Sequence, residues 1–357
     1  MIDMAWSYTC VAPEVFGCQT APASGDNLST SGVFGFFYLS DAVADQLMPP
    51  SAARSRLASG LLLAVLGAIA FSGKAIIVKL AYRHGVDAMT LLMLRMALAL
   101  PFFILMTWWA GRARDGVKPQ TLTWRDRLGI VWLGFSGYYL ASYLDFAGLA
   151  YISASFERLI LYLNPTFVVL LGALLYRRPI SGYQWLGLVI SYGGVLLAFG
   201  HEVELSGDAV WTGSALVFGS AVSYALYLSY SGEMVRQLGA LRLVGSASAV
   251  ACVFCIAQFL VLRPLGSLEG LAPEVWTLSI MNAAACTVIP VLLVMLAIER
   301  LGSGLAAQVG MVGPMSTLLM AALFLDEPLT YWVLGGTVLV LLGVFVCTRS
   351  PLPAPAP

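Results

Sequence analysis

Residues 164–194 read NPTFVVLLGALLYRRPISGYQWLGLVISYGG, and residues 313–343 read GPMSTLLMAALFLDEPLTYWVLGGTVLVLLG. At a constant offset of 149, Pro165 meets Pro314, Pro179 meets Pro328, Gly187 meets Gly336 and Gly194 meets Gly343. Each stretch is a proline-bearing apolar run, a short polar turn ending in proline, and a Gly-containing apolar run. Upstream the match is weaker, at an offset of 153: Gly60 aligns with Gly213, Phe71 with Tyr224 and Lys74 with Tyr227. The chain is therefore built twice from one unit, and the number of helices in that unit sets its topology.

Ten apolar segments of about one bilayer length follow one another, at 57–81, 88–110, 127–147, 151–175, 182–200, 209–231, 243–262, 274–297, 303–325 and 330–348. A spanning helix needs about 20 mostly apolar residues, whereas a barrel strand would be about ten residues of alternating character. With 59% hydrophobic and 11% charged residues, the chain cannot cover a water-facing surface. The expected fold is all-α and integral to a membrane. Ten transmembrane helices form two five-helix repeats, 54–206 and 207–348. Five is odd, so the second copy is inverted relative to the first, the plan of many secondary transporters.

Charge placement sets the orientation. If the residues before the first helix are cytoplasmic, the inside connections carry Arg54, Arg56, Arg112, Arg114, Lys118, Arg125, Arg127, Arg177, Arg178, Arg236, Arg242, Arg300 and Arg349. The outside connections carry only Lys79, Arg83 and Arg263. By the positive-inside rule both termini are expected in the cytoplasm, with the protein in the inner (plasma) membrane. A net charge of zero implies no nucleic-acid partner. Cys252 and Cys255 form a C-x-x-C, but within an apolar segment, where small packing residues are expected rather than a redox pair. Residues 1–53 hold no Lys or Arg, lack the basic start and long apolar run of a secretory signal, and read as a disordered extension, with a natural start expected near Met48. Residues 349–357 read as a Pro-rich disordered tail.

On these residues the chain resembles the drug/metabolite transporter superfamily, of EamA type, over roughly residues 57–348. The resemblance rests on Asn164-Pro165 through Arg178-Pro179 with Gly187, Gly193 and Gly194, and on Gly313-Pro314 through Asp326-Glu327-Pro328 with Gly335, Gly336 and Gly343. Arg95, early in the second helix, is also typical of that family. The first copy departs from it: Arg178 stands where the turn glutamate is usual, while Glu327 keeps it in the second. The resemblance implies ten helices and transport of small metabolites, often export.

Ionisable side chains cost several kcal/mol inside a bilayer, so those that occur should face the bundle interior and have partners. Lys74, Arg95 and Glu157 are expected in one polar layer roughly 10 Å from the outer helix ends, with Arg158 beside it. Neighbours on a helix point about 100° apart, so Glu157 is expected to pair with Lys74 or Arg95 and not with Arg158. Asp145 lies near a helix end, where snorkelling competes with a role in the layer; Lys79 and Arg83 read as interface anchors. Ser220, Ser223, Tyr224, Tyr227 and Ser231 share one helical face, and Phe135, Tyr138, Tyr139 and Ser142 occur on the third segment. Tyr139, Tyr224 and Tyr227 are expected to line a substrate cavity, the competing reading being interhelical packing. Asn282 and Gln308 are weaker candidates. Pro165 and Pro314 are expected as paired hinges, or as fixed kinks.

The expected function is a secondary transporter of small organic metabolites by alternating access. Lys74, Arg95, Tyr139, Glu157, Arg158, Tyr224 and Tyr227 would bind the substrate. Three cations in the layer favour a solute with an anionic group, such as an amino acid or organic acid. Glu157 is the expected carrier of a coupling proton, because burial disfavours the ionised carboxyl. Efflux of lipophilic cationic drugs is the alternative within the class. A non-transporting receptor or assembly subunit, or an intramembrane enzyme, is the alternative outside it. No phosphate-binding G-x-x-x-x-G-K-[ST] loop and no metal-ligand spacing occurs, so neither a nucleotide, a metal nor another cofactor is expected. His84 and His201 are both expected in outside loops.

Overall fold

The computed structural model describes residues 50–112, 122–177, 179–301, 306, 309–310 and 312–348. The N-terminal extension, the start near Met48, Arg178, Gln308 and the C-terminal tail lie outside them. All regular structure among the described residues is helical. Helix α1 spans Pro50–Tyr82 and α2 Ala88–Ala110. Helix α3 runs as Trp124–Leu133, a π-helical stretch Gly134–Leu140, and Ala141–Leu149. Two pieces follow, α4a Ala154–Leu161 and α4b Asn164–Tyr176. Then come α5 Gly182–Ser206, α6 Ala209–Leu238 and α7 Ala240–Leu262. Helix α8 runs as Pro273–Ala283, a second π-helical stretch Ala284–Val288, and Ile289–Leu301. Helices α9, Gly313–Phe324, and α10, Tyr331–Thr348, complete the bundle. Among the described residues eight helices, not ten, are long and apolar enough to cross a membrane; the other two expected segments are α3 and α9.

Helix ends follow local chemistry. Asp87 accepts from the Thr90 N–H to start α2; Thr123 with Asp126, and Ser181 with Gln184, close reciprocal capping boxes on α3 and α5. Helix α5 runs six residues beyond the expected 182–200, so His201 lies in a helix rather than in a loop. The gain is a turn and a half of backbone bonds over polar residues that a hydropathy reading discards.

The two repeats share more than sequence. Arg177 (φ 51°) and Asp326 (φ 60°) are the non-glycine residues with positive φ among the described ones, and they are equivalent at the offset of 149. Each sits in the left-handed conformation at the turn between a proline-started helix and the Gly-containing one, so the same strained turn is built twice.

Inversion shows in the glycine contacts. A Cβ on Gly187 would meet the Gly343 carbonyl at 2.6 Å, and one on Gly194 the Gly336 carbonyl at 2.6 Å. As position rises along α5 it falls along α10, so the helices are antiparallel. Because 187 is equivalent to 336 and 194 to 343, each contact maps onto the other, the signature of a twofold relation. A second pair obeys the same rule: Gly60 abuts Leu301, and its equivalent Gly213 abuts Ile152, each at 2.7 Å from an added Cβ. Helices α5 with α10, α2 with α7, α1 with α8, and α3 with α6 are the extensively packed pairs, and every one joins the two repeats. Without a hydrophobic force between helices in lipid, this backbone-close packing supplies the association.

Gly343 is the most demanding of these positions, since its Cβ would meet the Ser191 backbone N at 2.5 Å and the Gly187 carbonyl at 2.6 Å. Gly343→Val should force α5 and α10 apart and cost about 1–3 kcal/mol, seen as a lowered Tm of the purified protein, whereas Gly193→Ala, with open space around its Cβ, should leave Tm nearly unchanged.

A polar cavity between the repeats

Both π-helical stretches are repeat equivalents: Tyr138 in the first corresponds to Thr287 in the second. A π-turn leaves backbone carbonyls without their usual donors, and α6 supplies replacements. Ser220 Oγ donates to the Ala141 carbonyl at 2.7 Å and Ser223 Oγ to the Ser136 carbonyl at 2.8 Å. Ser220 and Ser223 of the α6 stripe thus hold α3, as the packing reading expects, while Ser231 bonds the Leu228 carbonyl of its own helix and Ser220 also reaches the cavity wall. Gly137 is required here, because a Cβ would lie 2.4 Å from the Tyr227 ring.

The prolines fall at the first turn of α4b and of α9, so they begin helices after a break instead of kinking continuous ones. Lacking an N–H, Pro165 and Pro314 leave the carbonyls four residues earlier, of Leu161 and Gly310, without a helical donor. Tyr162, at the break in the first repeat, donates its hydroxyl to the Gly310 carbonyl at 3.2 Å in the second. Ser72 of α1 likewise donates to the Gly313 carbonyl at 2.8 Å. The two breaks are therefore tied to each other and to α1.

The two π-helical stretches and the break before α4b border a cavity of ≈ 450 Å³. Its charged wall is Lys74, Arg95, Asp145 and Arg158, and its apolar wall includes Phe71, Phe103, Val244, Val291, Val294 and Met295. Tyr138, Tyr162, Asn164, Ser220, Tyr224 and Thr287 provide hydroxyl and amide groups. Lys74 pairs with Asp145 through a short ion-pair hydrogen bond, and its Nζ is 3.5 Å from Glu157 Oε1. Arg95 donates from Nε to Thr287 Oγ1 at 2.8 Å and lies with Cζ 5.2 Å from the Phe146 ring centre. Thr287 in turn donates to the Asn282 carbonyl at 2.8 Å, so the π-stretch of α8 orients Arg95. Arg95 Nη1, Arg158 Nε and Nη2, and Asn164 Oδ1 are buried with no hydrogen-bond partner among the described residues.

Of the expected binding residues, Lys74, Arg95, Arg158 and Tyr224 line this cavity. Glu157 does not; it is fully buried behind the wall, between Lys74 and Arg158. Its pairing with Lys74 agrees with the sequence reading, but Arg95 takes no part, being held by Thr287 and Phe146. Contrary to that reading, Arg158 Nε comes within 3.9 Å of Glu157 Oε2, since two long side chains bridge the angle that separates their Cα–Cβ bonds. Tyr227 lies just outside the wall: its hydroxyl is 3.2 Å from that of Tyr138, and its ring stacks on Tyr224 with centroids 5.6 Å apart. Tyr139 packs between Phe135 and Phe254 and does not reach the cavity.

Asp145 does not snorkel. It is 2% exposed and is the nearest partner of Lys74, because α3 continues to Leu149 and so carries Asp145 deeper than a helix ending at 147 would. Tyr162 was missed altogether: a tyrosine beside Asn-Pro gives no periodic signal, although its place one turn after Arg158 on the same face was available. Lys79 and Arg83 stand not as isolated anchors but on the wall of a second opening, where Arg83 donates to the Leu325 carbonyl at 2.9 Å.

Inverted helical repeats with broken helices beside a polar cavity are a plan that recurs among membrane transporters. Comparison with known proteins agrees. The model of the EamA-like transporter family matches residues 58–200 and again 211–349. The chain is 30% identical over 276 residues to the uncharacterized transporter YcbK of Bacillus subtilis, covering 76% of this chain and 87% of that one. It is 25% identical over 233 residues to an uncharacterized transporter of Archaeoglobus fulgidus, covering 65% and 81%. A crystal structure with 15% identity superposes with a TM-score of 0.55 over 81% of this chain and 96% of that one, a likeness of fold. The chain belongs to the EamA-like transporter family, and it is a multi-pass membrane transporter.

Lys74 is the cation facing two buried carboxylates. Lys74→Met should therefore cost about 3–5 kcal/mol by leaving Asp145 and Glu157 without it. Adding Asp145→Asn should restore much of that loss, and a double-mutant cycle of thermal melts measures the coupling.

Proposed function

We propose that this protein moves a small organic solute bearing a carboxylate and an apolar body, by alternating access at the cavity between its repeats. The observation that carries this reading is the set of buried guanidinium nitrogens at the cavity, Arg95 Nη1 and Arg158 Nε and Nη2, which have no hydrogen-bond partner among the described residues. A buried charged donor left unpaired is costly, and a carboxylate matches a guanidinium with paired hydrogen bonds. Three cations (Lys74, Arg95, Arg158) against two carboxylates (Asp145, Glu157) leave one positive charge for the solute to neutralise. Opposite, Phe71, Phe103, Val291 and Val294 suit an aliphatic or aromatic body, so amino acids and organic acids are the favoured solutes.

In the same reading Glu157 carries a coupling proton. Lys74 and Arg158 face its carboxyl and Asp145 completes the cluster, so a proton on Glu157 frees Lys74 for Asp145 alone and alters the charge the solute meets. Pro165 and Pro314, each starting a half-helix at a break, serve as the paired bend points. In this reading the protein lies in the plasma membrane with both termini cytoplasmic, which the bias of Lys and Arg toward one set of loops supports. The apolar share of the wall also supports lipophilic cations as cargo, with Asp145 as their counter-charge.

A thermal-shift screen of the purified protein separates the two cargoes. A carboxylate ligand at 100 times its dissociation constant should add about 2.7 kcal/mol of stability, and Arg95→Ala or Arg158→Ala should abolish the shift. Stabilisation by lipophilic cations alone, undiminished in the arginine variants, would refute the carboxylate reading. In liposomes holding this protein only, Glu157→Gln should retain ligand binding but lose the dependence of uptake on an imposed pH gradient. Gradient-driven uptake equal to wild type in Glu157→Gln rules out the proton role.

A further inference from the structure

The half-helix α4a is held at its start by carboxylates from two distant parts of the chain. Glu202 of α5 accepts the Ser153 N–H at 2.7 Å. Glu327, in the turn between α9 and α10, accepts the Ala154 N–H at 2.7 Å, the Ser155 N–H at 3.1 Å and the Ser155 hydroxyl at 2.7 Å. Ser153 Oγ accepts the Phe156 N–H at 3.2 Å. Every N–H at the start of this helix that has no partner within the helix is thus taken, half of them by Glu327 from the opposite repeat.

That helix separates two spaces. On one side lies an open vestibule of ≈ 530 Å³, whose wall includes Lys79, Arg83, Ser155, His201, Glu202 and Glu327. On the other lies the central cavity. Between them is a gap of ≈ 10 Å³, lined by Ser155, Arg158, Leu159 and Tyr162 of the first repeat and by Pro314, Leu318 and Thr337 among residues of the second. Ser155 is shared with the vestibule, and Arg158 and Tyr162 with the cavity, so one face of α4a runs from one space to the other. A volume of this size holds about one water molecule and no organic solute.

We propose that α4a is the gate between the central cavity and the vestibule, and that Glu327 is the positioning residue that latches it shut. The solute's route follows the Ser155–Arg158–Tyr162 face and opens when α4a swings about its break at Tyr162–Leu163, releasing Ala154 and Ser155 from Glu327. The turn that presents Glu327 is fixed by the left-handed Asp326 and by the Arg83 bond to the Leu325 carbonyl, so the latch is rigid and the half-helix moves. The device is one-sided: the equivalent of Glu327 in the first repeat is Arg178, which cannot accept an N–H. This proposal rests on the transporter reading only for what passes the gate; the closure is measurable without it.

Thr337 lines the gap and serves as a reporter. In the full-length chain with its own cysteines changed to serine, Thr337→Cys should react slowly with a membrane-impermeant maleimide in liposomes. Adding Glu327→Ala should raise that rate by about tenfold or more, since charge-assisted hydrogen bonds are lost, and Glu327→Gln should fall between. An unchanged rate in a monodisperse Glu327→Ala protein would overturn the proposal. If Glu327→Ala does not fold, a Ser153→Cys, Thr330→Cys pair on the vestibule wall, which keeps Glu327, joined by a short bis-maleimide decides instead: flux should stop while the ligand-induced thermal shift persists. Undiminished flux in the cross-linked protein overturns the gate. A wild type without flux in which Glu327→Ala still accelerates labelling would sink the transporter reading and leave the latch standing.

Discussion

In hydrocarbon no water is available to backbone N–H and C=O groups, so each must find its partner inside the protein. That constraint governs where this chain is permitted to depart from regular helix. Among the described residues the departures in the bundle come in equivalent pairs, the π-helical stretches of α3 and α8 and the proline-started half-helices α4b and α9; the first three border the central cavity, and α9 borders the narrow gap beside it. At most of them, specific side chains from elsewhere replace lost bonds, while in α8 Thr287 serves the Asn282 carbonyl of its own helix. Ser220 and Ser223 serve α3, Tyr162 serves Gly310, Ser72 serves Gly313, and Glu202 and Glu327 serve the start of α4a. The irregular backbone that a binding site needs is thus maintained by contacts between repeats, and relative motion of the repeats must exchange them.

The broad architecture was legible in the sequence because it depends on features with a period or an offset. Apolar length marks the helices, and the spacing of Pro165 to Pro314 and Gly187 to Gly336 marks the repeat. The contacts of Gly187 with Gly343 and of Gly194 with Gly336 then follow almost of necessity, since only glycines let antiparallel helices approach this closely. Lys74, Arg95, Arg158 and Tyr224 were legible as cavity residues for a similar reason: a charge or phenol inside an apolar run must have somewhere to go.

What was not legible turns on helix phase and helix length. A π-turn inserts one residue without altering composition, so it rotates everything beyond it by about 100° while leaving the pattern of apolar residues nearly intact. Tyr139, placed in the cavity by simple periodicity, packs instead against Phe135 and Phe254, while Tyr138 faces the cavity. Helix ends caused the other errors. Hydropathy stops α5 at Gly200, so Glu202, a capping group four residues in from Ser206, falls outside the helix that a sequence reading draws. The same uncertainty about helix ends leaves Asp145 open between snorkelling and the polar layer, where it is the main partner of Lys74.

The repeats are symmetric in backbone and asymmetric in charge, and the second property removes the equality of energy between inward- and outward-facing arrangements that a perfect repeat would impose. Identical halves would give two mirror-related states of equal energy. Here the cations of the layer, Lys74, Arg95 and Arg158, all come from the first repeat, and the equivalent of Lys74 in the second is Tyr227, already engaged with Tyr138. The turn glutamate survives only in the second repeat, where it binds the half-helix of the first that carries Glu157 and Arg158. Each repeat thus retains one half of a function: the first holds the charges, and the second holds the first in place. An exchange of states in such a molecule cannot be isoenergetic, because the contacts broken on one side have no chemical equivalent to be made on the other.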